Sequence, residues 1–108
     1  VPDASLFVRD ADVYRLSVSV ARWMRGASWP RHAKHLEDQA IRAADSIVLN
    51  LAEGLSRGGR PGADHLRVAQ GSAGEAFAAL DLVELPGCAE RRDELRRIAA
   101  MIQRIKPR

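Results

Sequence analysis

A chain of 108 residues, 46% hydrophobic and 29% charged, is long enough to bury one core without disulfide or metal staples and too short for several ordinary domains. Its formal net charge is +3 and its sequence pI about 9.7, which permits contact with nucleic acid without demanding it. No apolar run approaches the roughly 20 residues of a membrane span, and the single cysteine, Cys88, excludes an internal disulfide and suits a reducing compartment.

Residues 1–10 read as a loosely held arm, and 11–108 as one domain. Val1-Pro2-Asp3-Ala4 lacks a basic stretch followed by an apolar one, so a cytoplasmic chain is expected. Asp10 or Asp12 can cap a helix running to about Arg25, with Val13, Leu16, Val20 and Met24 at three- and four-residue spacing. Gly26 to Pro30 forms a turn. A second helix runs from Arg31 or Lys34 to about Ser56, and Gly58-Gly59-Arg60-Pro61-Gly62 is the connector after it. The third helix is expected over about Ala63 to Glu84, ended by Pro86-Gly87. The fourth covers about Ala89 to Ile105, with Leu95, Ile98, Ile102 and Ile105 on one stripe. Short loops between four helices imply an all-α, antiparallel up-down four-helix bundle.

The second helix carries the most information. At about 100° per residue, Gln39, Arg42, Ser46, Asn50, Glu53 and Arg57 share an arc of roughly 80°. Its apolar arc, including Leu36, Ala40, Ala43, Ile47 and Leu51, widens towards about 180°, beyond the roughly 100° that a surface helix needs. Such a helix is expected to touch more than its neighbours in one bundle, which points to self-association. Ser46 and Asn50 are mediocre helix formers in mid-helix. With Ser72 and Glu75 on the third helix they predict a structural polar network in which Arg42 pairs with Glu75 or Glu53. A solvated face is the plainer reading of the same residues.

The combination Gln39, Arg42-Ala43-Ala44, Ser46-Ile47, Asn50-Leu51-Ala52-Glu53-Gly54, Arg57, Ala69, Gly71-Ser72 and Glu75 closely resembles the four-helix-bundle family of proteins encoded in 23S rRNA intervening sequences. Trp29-Pro30 matches the family's aromatic-Pro before the second helix. The accessory variability determinant of diversity-generating retroelements is a relative of that family. The resemblance implies a four-helix protomer of a homopentamer with a basic outer surface. It also implies a non-enzymatic protein, whose best-described relative binds nucleic acid and a reverse transcriptase. The chain departs from the pattern at Pro86, where members continue the third helix, and at Gly74.

Candidate chemistry is otherwise thin. His32 and His35 lack a third ligand, so no metal site is expected, and no cofactor motif is present. His65, beside Asp64, reads as N-terminal capping. The glycine connector lacks the Gly-Lys-Ser/Thr ending of a phosphate loop, although Arg57 and Arg60 flank a helix N-terminus that could attract an anion. Residues 89–108 hold seven basic against three acidic side chains, and Arg91, Arg92, Arg96 and Arg97 form the main candidate nucleic-acid patch. Trp23 and Trp29 read as core or interface anchors. Two classes of function follow. One is a homo-oligomeric module binding structured RNA, duplex nucleic acid or a protein partner; the other is a ligand-binding or enzymatic bundle using Arg42, Asn50, Glu53 and Glu75.

Overall fold

In the computed structural model, which describes residues 11–105, the chain is all-α, with four helices and no strand among the described residues. The arm expected over 1–10 lies outside that range. Helix α1 (Asp12–Gly26) buries Val13, Ser17, Val20, Ala21 and Met24 on one face. Ser17 is tolerated there because its hydroxyl donates to the Val13 carbonyl at 2.8 Å. Of the two expected aspartate caps, Asp10 lies outside the described residues and Asp12 falls inside the first turn. Ala11 is the N-cap, with no side-chain cap hydrogen bond, and Asp12 instead accepts from Arg15 at 2.6 Å. Trp29 folds back so that its indole N–H donates to the Met24 carbonyl at 3.0 Å, satisfying one of the acceptors left open at the end of α1.

A short 3₁₀ turn (Arg31–Ala33) leads into helix α2 (Lys34–Arg57), which runs unbroken for 24 residues. Helix α3 (Gly59–Leu82) is equally long and starts four residues earlier than the sequence suggests. Gly58, at φ 69°, is the whole connection. Gly59-Arg60-Pro61-Gly62 looks like a breaker, but the first turn of a helix has no use for the amide that proline lacks. Helix α4 (Cys88–Arg104) follows Gly87, whose φ of 89° is left-handed. A Cβ at Gly87 would also stand 3.3 Å from the Trp23 ring, so this turn needs glycine for both strain and space.

Helices α2 and α3 form the most extensive contact in the molecule. Their facing sides are lined with alanine: Ala40, Ala43 and Ala44 on α2, and Ala69, Ala73, Ala76 and Ala79 on α3 are all buried. Small side chains let two backbones approach closely. Near the connection the approach becomes backbone on backbone. A Cβ at Gly62 would lie 2.9 Å from the Gly54 carbonyl oxygen, and one at Gly54 would lie 3.1 Å from the Gly62 carbonyl oxygen. The larger residues Val20, Met24, Ile47, Leu51, Leu80, Leu95 and Ile98 fill the centre where the shorter α1 and α4 close over the pair.

Replacing Gly62 with alanine forces backbone apart at this contact. The expected cost is about 1–3 kcal/mol of unfolding free energy, as for overpacked cores. Chemical denaturation checks it, and an unchanged midpoint would show that the contact relaxes freely.

Candidate interaction surface

The α2–α3 register brings polar side chains together. Ser72 donates to the Ser46 hydroxyl at 2.7 Å, and the Asn50 side-chain amide donates to the same hydroxyl at 3.1 Å and to the Ser46 carbonyl at 2.9 Å. The Asn50 side-chain oxygen meets His65 Nδ1 at 2.9 Å, a contact that requires the Nδ1–H form of the ring because the amide oxygen can only accept. Ser72 is buried and the other three are half-buried, so each finds a partner rather than being stranded. His65 is the member that sequence reasoning missed. Its expected capping role fails because α3 starts at Gly59, which places His65 one and a half turns into the helix and opposite Asn50.

Arg42, Glu53 and Glu75 do not join this network, and the expected Arg42 pairing with either carboxylate is absent. All three are exposed. Glu53 instead accepts from Arg57 at 2.7 Å, one turn along its own helix. Arg42 and Glu75 have no ion-pair partner among the described residues. The physical reason is depth: helical spacing aligned these residues on one arc, but the alanine-lined contact lies to one side of it, and only Ser46 and Asn50 reach the seam.

The outer side of the pair is unusual for a surface. Leu49 is 65% exposed, Val68 51% and Leu82 72%, while Gly71 sits in mid-helix with nothing within 4 Å of where a Cβ would be. A groove lined by Val18, Ala21, Val48 and Leu49 adjoins it between α1 and α2. None of Ser46, Asn50, His65 or Ser72 lines this groove or those at Tyr14–Arg22, Leu66–Ile105 and Ala73–Ala99.

The candidate arginines divide into two kinds. Arg91 is half-buried, with its guanidinium carbon 5.6 Å from the centre of the Trp23 ring. Its Nε lies 2.6 Å from a carboxylate oxygen of Glu94, an ion pair between two half-buried side chains one turn apart. Arg92 donates to the Leu80 carbonyl at 3.0 Å, closing the C-terminal turn of α3 as cations there do. Arg96 lies over Phe77 at 5.2 Å and remains exposed, as does Arg97. The continuous α4 patch expected from sequence is therefore broken: Arg91 and Arg92 hold helices together, and the exposed charge lies on Arg96, Arg97 and Arg104. At the α2–α3 connection, Arg57 and Arg60 are exposed, with Arg57 held by Glu53. On α1, Arg25 makes a two-bonded contact with Asp45, both at 2.6 Å. That hydrogen bonding, and then the Asp45 charge, raises the Arg25 pKa above its ordinary value.

Among the described residues, no three His, Cys, Asp or Glu side chains stand together as a metal site, and no helix is long and apolar enough to cross a membrane. The family model described as 23S rRNA-intervening sequence protein matches residues 9–107. No curated protein and no solved structure matches the chain.

The division of the arginines has a stability signature. Arg92→Ala removes a charged donor from a part-buried carbonyl and should cost about 1–2 kcal/mol. Arg97→Ala should change stability by less than about 0.5 kcal/mol, as surface substitutions do. Urea melts of the two variants read the difference, and equal midpoints would return Arg92 to the solvated face.

Proposed function

This chain belongs to the 23S rRNA-intervening sequence protein family, and from that premise we propose that it is a non-enzymatic interaction module. It is a single domain over 11–108, an antiparallel up-down bundle, and the protomer of a closed homo-oligomer, most simply a pentamer. In the cytoplasm its ring of arginines binds structured RNA or a ribonucleoprotein. The antiparallel reading is supported by the contact pairs Ser46–Ser72, Asn50–His65 and Gly54–Gly62, whose numbers rise on one helix as they fall on the other.

The observation that carries the assembly is the exposure of Leu49 on α2 and of Val68 and Leu82 on α3. Val68 and Leu82 stand about four turns apart on α3 and Leu49 lies on the neighbouring α2, and exposed large apolar side chains shared between two packed helices are the kind of surface that marks an interaction site. A closed ring follows from association through two different faces, because such contacts either close or polymerise. The ligand-binding alternative built on Arg42, Asn50, Glu53 and Glu75 is disfavoured, since three of the four are exposed and Asn50 is bonded within the seam.

The RNA part of the reading rests on the family description, the net charge of +3 and the exposed arginines. Arg96, Arg97 and Arg104 on α4 form one group and Arg57 with Arg60 a second. Repetition around a ring turns each weak group into a multivalent site by raising effective concentration.

Light scattering at tens of micromolar should return a mass several times that of the 11.9 kDa chain; a monomer mass overturns the assembly. The same preparation should retain structured RNA at about 50 mM salt and lose it steeply by about 200 mM, as phosphate-directed binding does. Arg97→Glu with Arg104→Glu should abolish retention without changing the mass. If the wild-type oligomer retains neither structured RNA nor duplex DNA, the nucleic-acid reading fails and a protein partner, such as a reverse transcriptase, takes its place.

A further inference from the structure

We propose that the outer strip of α2 on one copy docks along the outer strip of α3 on the next, with Arg42 pairing to Glu75 across the boundary. This rests on the homo-oligomer proposed above and names the surfaces and register that build it. Two strips on one chain are needed, and each carries half of a complementary pattern.

On α2, Arg42 and Leu49 are both exposed and seven residues apart; on α3, Val68, Glu75 and Leu82 are all exposed and successively seven apart. Seven residues is two helical turns, about 10.5 Å along the axis and only about 20° around it. Each strip therefore presents a charge and a large apolar side chain at the same spacing along one line. Placing Arg42 against Glu75 puts Leu49 against Val68 if the strips run in opposite senses, and against Leu82 if they run in the same sense. One register satisfies the ion pair and the apolar contact together.

The charges point to a second copy rather than an unrelated partner. Arg42 and Glu75 are of opposite sign and exposed, and neither has an ion-pair partner among the described residues. The open cation on the α2 strip and the open anion on the α3 strip make the two strips complementary to each other. Gly71 fits the same arrangement. It lies between Val68 and Glu75 on α3, with nothing of its own chain within 4 Å of a Cβ position. Glycine is a poor choice for the middle of a helix, and it allows close approach of another backbone. The contact is heterologous, α2 to α3, as a closing ring requires.

Charge exchange tests the register directly, read as the concentration at which the oligomer dissociates in a light-scattering dilution series. Arg42→Glu and Glu75→Arg should each raise that concentration by about tenfold or more, because each sets like charges together. The double variant should recover most of the wild-type value. Gly71→Leu should prevent assembly while helical circular dichroism stays native, since the added side chain meets nothing in its own chain. An oligomer with the wild-type midpoint in both single variants overturns this interface and leaves the assembly standing, as does a double variant no better than the singles or a Gly71→Leu oligomer of wild-type stability. A wild-type monomer overturns both.

Discussion

The close approach of Gly54 and Gly62, joined through Gly58 alone, fixes how α2 and α3 sit against each other. Backbone atoms meet there with no room for a Cβ, so neither helix can slide without breaking the contact. Every other relationship along the pair follows from that register. Asn50 meets His65, Ser46 meets Ser72, and the alanines beyond them allow the close spacing to continue. The hydrogen bonds contribute a net of about 1 kcal/mol each, so they report and refine the register more than they drive it. Most of the stabilisation comes from burying Ile47, Leu51, Leu80, Leu95, Ile98 and their neighbours, and it scales with the apolar area removed from water.

The same geometry decides which charges are available. Arg91 and Arg92 are drawn inwards, one over Trp23 and the other onto the Leu80 carbonyl, because α4 packs where α3 ends. Among the described residues, the exposed arginines outside any ion pair include Arg97 and Arg104 on α4, Arg60 at the connection, Arg42 on the central pair, Arg22 on α1 and Arg31 before α2, while Arg96 is exposed beside Asp93. Basic composition thus overstates the charge free to meet a phosphate. On the proposed reading, a ring compensates by repetition: one copy offers a weak site and several copies offer a strong one.

Much of the fold was legible because apolar residues recur at helical spacing through all four segments. The start of α3 was not, since Gly59-Arg60-Pro61-Gly62 has the composition of a loop, and only the Gly54 carbonyl shows why glycine is needed there. The polar seam was half legible. Ser46, Asn50 and Ser72 stood out as poor helix formers in mid-helix, whereas His65 could be placed only once the one-residue connection set it opposite Asn50. Arg42, Glu53 and Glu75 show what an angular projection omits. It gives direction around a helix but not the distance to the neighbour, and these three point past the seam. The arginines of α4 fail for a similar reason, because the Trp23 ring and the Leu80 carbonyl that capture two of them come from distant parts of the chain.

On the proposed reading, the outer face of the α2–α3 pair is a covered surface in the working protein. Leu49 and Val68, 65% and 51% exposed in the single chain, provide built-in reporters of cover. Hydroxyl-radical footprinting across a dilution series measures their side-chain oxidation directly. Both are expected to be strongly protected at high concentration and to become reactive together as the protein is diluted. Oxidation of both at the rate of open side chains at every concentration would contradict the proposed cover.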